Sequence, residues 1–165
     1  MQSLISKVND NDKYNKLYKI LKDIQRQKEE ANQLFKQGKY NEAIDHYTRI
    51  LELDPNNKNF NSTILSNRAL CYIKTGKHME ALKDANKAIS LNERNWKAYL
   101  RRGSAYLALN MPEEAKYDFQ KVKDNDPSNK EINKILEDAK RAEKKAKKRD
   151  YYKILEVDRN ATEND

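Results

Sequence analysis

The stretch Lys28–Pro55, KEEANQLFKQGKYNEAIDHYTRILELDP, decides the fold. On either side of Gly38, small and large apolar residues recur at helical spacing: Ala31 and Leu34 before it, Ala43, Tyr47 and Ile50 after it. This is the pattern of two amphipathic helices joined by a short turn. Gly38 can end the first helix, and the polar loop Asp54-Pro55-Asn56-Asn57 stops the second.

The same signals repeat along the chain. Gly38 and Gly76 lie 38 residues apart, as do Ala43 and Ala81, whereas Ala81 and Ala115 are separated by 34 and Pro55 and Pro127 by 72. One period explains all four: a 34-residue unit with 4 residues inserted between its first and second copies. With units at 24–57, 62–95 and 96–129, the eighth position reads Ala31, Ala69, Gly103 and the twentieth Ala43, Ala81, Ala115, small residues where two helices must touch. The eleventh reads Leu34, Tyr72, Tyr106, the twenty-fourth Tyr47, Ala85, Phe119, and the twenty-seventh Ile50, Ala88, Val122. The second and third turns fall at Gly76 and at Asn110-Met111-Pro112, where Pro112 can open the next helix.

The predicted architecture is therefore all-α, a solenoid of three helical hairpins: unit 1 with its insertion over 24–61, unit 2 over 62–95 and unit 3 over 96–129. A solenoid must cover its open apolar end. Ser128-Asn129-Lys130-Glu131 reads as a capping box with Ser128 as the cap, followed by Ile132, Ile135, Leu136 and Ala139 on one stripe. Residues 130–149 are thus expected to form a capping helix that continues as a basic helix projecting into solvent, since 140–149 has no large apolar residue. Tyr14, Leu17, Tyr18, Leu21 and Ile24 keep helical spacing through residues 1–23 into the first unit, either as an extension of its first helix or as the tail of a preceding repeat.

Composition agrees with thin helical layers. The 165 residues include 3 Gly and 3 Pro, with 36% charged and 37% hydrophobic side chains. A single cysteine, Cys71, excludes an internal disulfide and falls on an alanine-like packing position. No stretch approaches the roughly 20 apolar residues of a membrane span, so a cytoplasmic or nuclear protein without a membrane partner is expected. The net charge of +8 is local: residues 130–149 hold nine Lys/Arg against four Asp/Glu, which leaves +3 for the remainder. Nucleic acid is accordingly not the expected partner, and RNA or an acidic surface meeting the basic run 140–149 is the rival reading. His46, His78 and Cys71 do not have metal-site spacing, and no phosphate loop, nucleophile elbow or catalytic carboxylate pair is present. Neither a cofactor nor a metal is expected, and enzymatic activity is not predicted.

The three units resemble the tetratricopeptide repeat, a helical hairpin that stacks into a curved solenoid. Departures from its pattern are Gln27 and Leu65 at the usually aromatic fourth position, Asn110 at the fifteenth of the third unit, and Glu93 in place of proline. In stacks of this kind the first helices line a concave groove through positions 2, 5, 6, 9, 12 and 13. These supply Lys28, Asn32, Asn67, Lys74, Lys97 and Arg101. Cations interleaved with amides suit a paired anion, charge coming from Lys and Arg and directional donors from Asn. A C-terminal aspartate offers such a pair in its side chain and its chain-end carboxylate.

Lys28, Asn32, Asn67, Lys97 and Arg101 fall where carboxylate-clamp members of the family carry their tail-binding residues. The resemblance implies an adaptor that holds the Glu-Glu-Val-Asp ends of the 70-kDa and 90-kDa heat-shock proteins. Phe35, Leu70, Ile73 and Lys74 would add groove contacts, and a groove taking an internal peptide is the alternative within the binding class. Residues 150–165 resemble the opening of a J domain through Asp150, Tyr151, Tyr152, Leu155, Val157, Ala161 and Thr162, with Glu156 where glycine is usual. Repeats, a basic helix and then a J domain is the order of a cytosolic repeat-containing J-domain co-chaperone. The His-Pro-Asp tripeptide through which J domains act is absent, since His46 and His78 are followed by Tyr47 and Met79. The expectation is a truncated J domain that cannot stimulate a chaperone ATPase by that route.

Overall fold

The computed structural model describes residues 2–154, which form seven helices and, among the described residues, no strand. They are α1 (Gln2–Lys36), α2 (Tyr40–Leu53), α3 (Lys58–Lys74), α4 (His78–Leu91), α5 (Trp96–Ala108), α6 (Pro112–Asn125) and α7 (Lys130–Ile154). The stretch expected to open a J domain lies outside the described residues from residue 155 onward.

The three hairpin turns share one geometry. Gly38, Gly76 and Asn110 adopt φ of +77°, +74° and +60°, the left-handed region that glycine enters freely and asparagine more readily than most residues. In each turn the following N–H reaches back to the last turn of the helix: Lys39 to Leu34, Lys77 to Tyr72 and Met111 to Tyr106, at 2.8–2.9 Å. The first helices of units 2 and 3 are opened by asparagine caps, Asn57 accepting from the Phe60 N–H and Asn95 from the Ala98 N–H. Pro112 occupies the first turn of α6, where its missing N–H costs nothing.

The repeating small residues are buried at every hairpin, with Ala31, Ala69, Ala43, Ala81 and Ala115 fully enclosed. Gly103 shows why that position must be small. A Cβ there would meet the Phe119 ring at 2.6 Å, so the bulk at the twenty-fourth position of unit 3 is accommodated by removing it at the eighth. The core forms successive clusters along the stack, from Ile24, Tyr47, Ile50 and Cys71, through Leu65 with Ala88 and Ala69 with Ala105, to Phe119, Ile132 and Leu136. The capping stripe Ile132, Leu136 and Ala139 is buried against the third hairpin.

Each helix packs on its successor, and α3 also packs on α5. No comparable packing joins α2 to α4 or α4 to α6. Units 2 and 3 are therefore tighter along their first helices than along their second, and the side of α1, α3 and α5 is the inner layer, although α1 and α3 share no comparable packing.

Polar staples that the periodicity did not predict tie the repeats together. Arg68 forks onto Asp84 of its own hairpin at 2.7 and 2.8 Å and reaches Thr48 of the preceding one at 2.8 Å. One unit later, Arg102 forks onto Asp118 at 2.8 Å and reaches Asn86 at 2.9 Å. Both arginines hold the seventh position of their units. In unit 1 the equivalent pair is Glu30 and His46, whose Nδ1 lies 3.3 Å from the Glu30 carboxylate and 2.6 Å from Gln27 Oε1. Gln27, at the usually aromatic fourth position, is buried and held by this histidine.

Two expectations need correction. Asn129, one residue later than expected, caps α7 and accepts from the N–H groups of Glu131 and Ile132, while the Ser128 hydroxyl turns to Asp126. Nor does the basic run simply project into solvent. Lys116 of α6 pairs with Glu143 at 2.7 Å, and Lys147 bridges Glu143 and Glu113 at 2.8 and 2.9 Å, holding α7 along α6 for two further turns. Apolar periodicity cannot detect such an attachment, because it is made by charges. At the opposite end α1 runs without a break through position 24. From residue 11 onward the first buried side chain is Ile24, and Tyr14, Leu17, Tyr18 and Leu21 are more than half exposed.

Candidate peptide-binding groove

The predicted groove residues sit on the inner layer. Lys28 and Asn32 occupy successive turns of α1, Asn67 lies on α3, and Lys97 and Arg101 occupy successive turns of α5. Lys28 links α1 to the start of α3, its Nζ standing 5.9 Å from the centre of the Phe60 ring. Lys97 is exposed, with its Nζ 5.5 Å from the Trp96 ring. Both lysines thus rest on aromatic surface that leaves their ammonium groups available to an anion.

Asn32 is oriented by a residue that the sequence reading placed in the core only. The Tyr47 hydroxyl donates to Asn32 Oδ1 at 2.8 Å, which fixes the amide oxygen toward α2 and leaves its NH2 as the free donor. Tyr47 is 2% exposed, and burial pushes its phenol up to about 12, so it remains a donor at any physiological pH. The signal for this role was available: a tyrosine at the twenty-fourth position, where the other units carry Ala85 and Phe119, brings a hydroxyl that burial obliges to find a partner.

Arg101 is half-buried, unlike the exposed Lys97. Burial pulls its guanidinium below the ordinary arginine value, partly offset by the charge of Glu131. Its Nε is buried without a hydrogen-bond partner among the described residues. A desolvated, under-satisfied guanidinium is a strong receptor for an incoming carboxylate, because the bond it forms replaces little hydration. The side chain borders a cleft of about 260 Å³ between α5, α6 and the start of α7, lined also by Trp96, Leu100, Val122, Ile132 and Ile135.

The four accessory positions divide. Lys74 is exposed and Leu70 half-buried, whereas Phe35 packs edge-on against Tyr40 with ring centres 5.3 Å apart, and Ile73 packs against the core of the second hairpin. Among the described residues no group of three metal-ligating side chains occurs, and no helix is long and apolar enough to cross a membrane. Cys71 is buried in the core, where burial pushes its thiol up to about 11.

Models of the tetratricopeptide repeat match residues 28–57, 62–95 and 97–129. The chain belongs to the tetratricopeptide-repeat family. A curated relative of this repeat protein is human DnaJ homolog subfamily C member 7, 39% identical over 144 residues, which are 87% of this chain and 29% of that protein. The chain therefore spans under a third of that relative's length. Two solved tetratricopeptide domains share its fold. The first repeat domain of Spaghetti (RPAP3), bound to the HSP90 peptide SRMEEVD, is 40% identical with a TM-score of 0.68, covering 73% of this chain and 95% of that one. The second domain of human RPAP3, in complex with the HSP70 peptide SGPTIEEVD, is 37% identical with a TM-score of 0.66, covering 73% and 98%.

Proposed function

We propose that this tetratricopeptide-repeat chain is a non-enzymatic, cytoplasmic adaptor that holds the C-terminal Glu-Glu-Val-Asp tail of 70-kDa or 90-kDa heat-shock proteins. The observation that carries this reading is the ligand of the two solved relatives, each of which holds a peptide ending in EEVD. The side chains of this chain suit the same chemistry. Lys28, Lys97 and Arg101 would neutralise the side-chain and terminal carboxylates of the last aspartate, and the NH2 groups of Asn32 and Asn67 would direct them. Leu70 would meet the apolar residues upstream, with Phe35 and Ile73 supporting the groove wall from within the packing.

Charge-assisted hydrogen bonds contribute about 1.5–3 kcal/mol each, and ordering a flexible tail offsets much of their sum. Affinity in the micromolar range follows, about −8 kcal/mol, and it weakens with salt because the lysines stay in water. The test is titration of a fluorescent peptide ending Met-Glu-Glu-Val-Asp, beside its C-terminally amidated twin and the double variant Lys97→Ala, Arg101→Ala. Amidation and the double substitution should each weaken binding by roughly thirtyfold or more. Equal binding of both peptides, or of both proteins, would sink the clamp.

A further inference from the structure

Glu131 is placed to compete for Arg101. The expected capping box assigned the Glu131 side chain to the end of its own helix, but Asn129 performs that capping through the Glu131 and Ile132 N–H groups. The exposed Glu131 carboxylate is thereby left free at the first turn of α7, and it borders the same cleft as Arg101 of α5. The remaining walls of that cleft mix apolar Trp96, Leu100, Val122, Ile132 and Ile135 with polar Asn129. Within a cleft partly walled by protein a charge is felt more strongly than through open water. No ion pair of 4.0 Å or less joins the two residues among the described ones, and Arg101 Nε keeps no hydrogen-bond partner, so Glu131 faces the guanidinium from across the cleft and favours its charge without satisfying it.

We propose that Glu131 is an intramolecular counter-charge that sets the affinity of the groove for acidic chain ends, an inference that rests on the clamp reading above. In the empty groove it stabilises Arg101. When a ligand carboxylate arrives at Arg101, the two anions share one cation and repel each other, so part of the binding energy is spent displacing the influence of Glu131. Holding Arg101 in check in this way also lowers the affinity of the groove for stray anions, leaving tight binding to ligands that engage the lysines and amides as well. The capping helix thus acts on the site as well as closing the core.

The experiment is a double-mutant cycle with the peptide ending Met-Glu-Glu-Val-Asp and its amidated twin, using the full chain and its Glu131→Gln, Arg101→Ala and doubly substituted variants. Gln keeps the size of the side chain and leaves the backbone capping bonds intact. Glu131→Gln should tighten binding by about 3- to 10-fold at low salt, less at 0.5 M salt, about one Debye length of 4 Å, and should have no effect once Arg101 is alanine. If binding depends on Arg101 and on the free chain end but is unchanged or weakened by Glu131→Gln, the counter-charge is overturned while the clamp stands. If the peptide fails to bind the parent chain, or binds regardless of Arg101, the clamp reading itself fails and the inference goes with it.

Discussion

Tyr47 joins two levels of the structure in one side chain. Its ring fills the first hairpin between Ala31 and Ile50, and its hydroxyl fixes the amide of Asn32. Substituting Tyr47→Phe should keep the packing and lose the hydrogen bond, costing about 1 kcal/mol in thermal or urea unfolding. Peptide binding should weaken about 2- to 5-fold, because an unfixed amide presents its NH2 to the groove only part of the time. Unchanged affinity with reduced stability would mean that Tyr47 is purely a packing residue. At this scale most of the inner-layer cations and amides were legible from position within the repeat. Which partner holds them was not, since Tyr47, fifteen positions from Asn32 along the chain, shows in the sequence only as a hydroxyl in need of some partner.

Among the elements, α7 shows the limit of hydrophobic patterning most clearly. Its first three turns were readable from Ile132, Leu136 and Ala139, whereas its attachment beyond them depends on Glu143, 12% exposed, and the two lysines that meet it. Hydrogen bonds from Lys116 and Lys147 hold the Glu143 carboxyl down to about 2, and the bonds of Lys147 to Glu143 and Glu113 raise Lys147. A carboxyl depressed in the folded state contributes stability that is complete above its unfolded value near 4.5 and is lost as pH falls toward about 2. The segment 140–149 should therefore fray across that window while residues 132–139 stay helical. Backbone carbon chemical shifts followed by NMR from neutral to acid pH should show this, and Glu143→Gln should remove the transition. A helix equally ordered throughout the window would show that the ion pairs do not hold it.

For the molecule as a whole, the shared phase of the repeats is kept by apolar contacts and by the two arginine staples. Asp118 is 1% exposed, and burial raises its carboxyl despite the guanidinium beside it, so the pair with Arg102 adds less to net stability than its short distances suggest. Removing one partner is another matter, because it strands the other charge. Asp118→Ala should destabilise the chain by about 3–5 kcal/mol, whereas Arg102→Leu combined with Asp118→Leu should cost distinctly less. Denaturant unfolding of the three proteins separates these effects, and equal losses in the single and double variants would show that the staple contributes through packing alone.

The sequence by itself determined the class of fold, the three-unit register, the positions of the hairpin turns, the buried small residues and the capping stripe. Each of these is written in short-range periodicity or in the conformational limits of Gly, Asn and Pro, which act within a few residues. Tertiary structure alone decided which polar groups meet, Arg68 with Thr48 and Asp84, Glu143 with Lys116 and Tyr47 with Asn32, and that Glu131 borders the cleft of Arg101 without pairing with it. Those pairings depend on the angle and depth at which one hairpin seats on the next. That geometry is the summed result of the whole core, so it has no local signature in the chain.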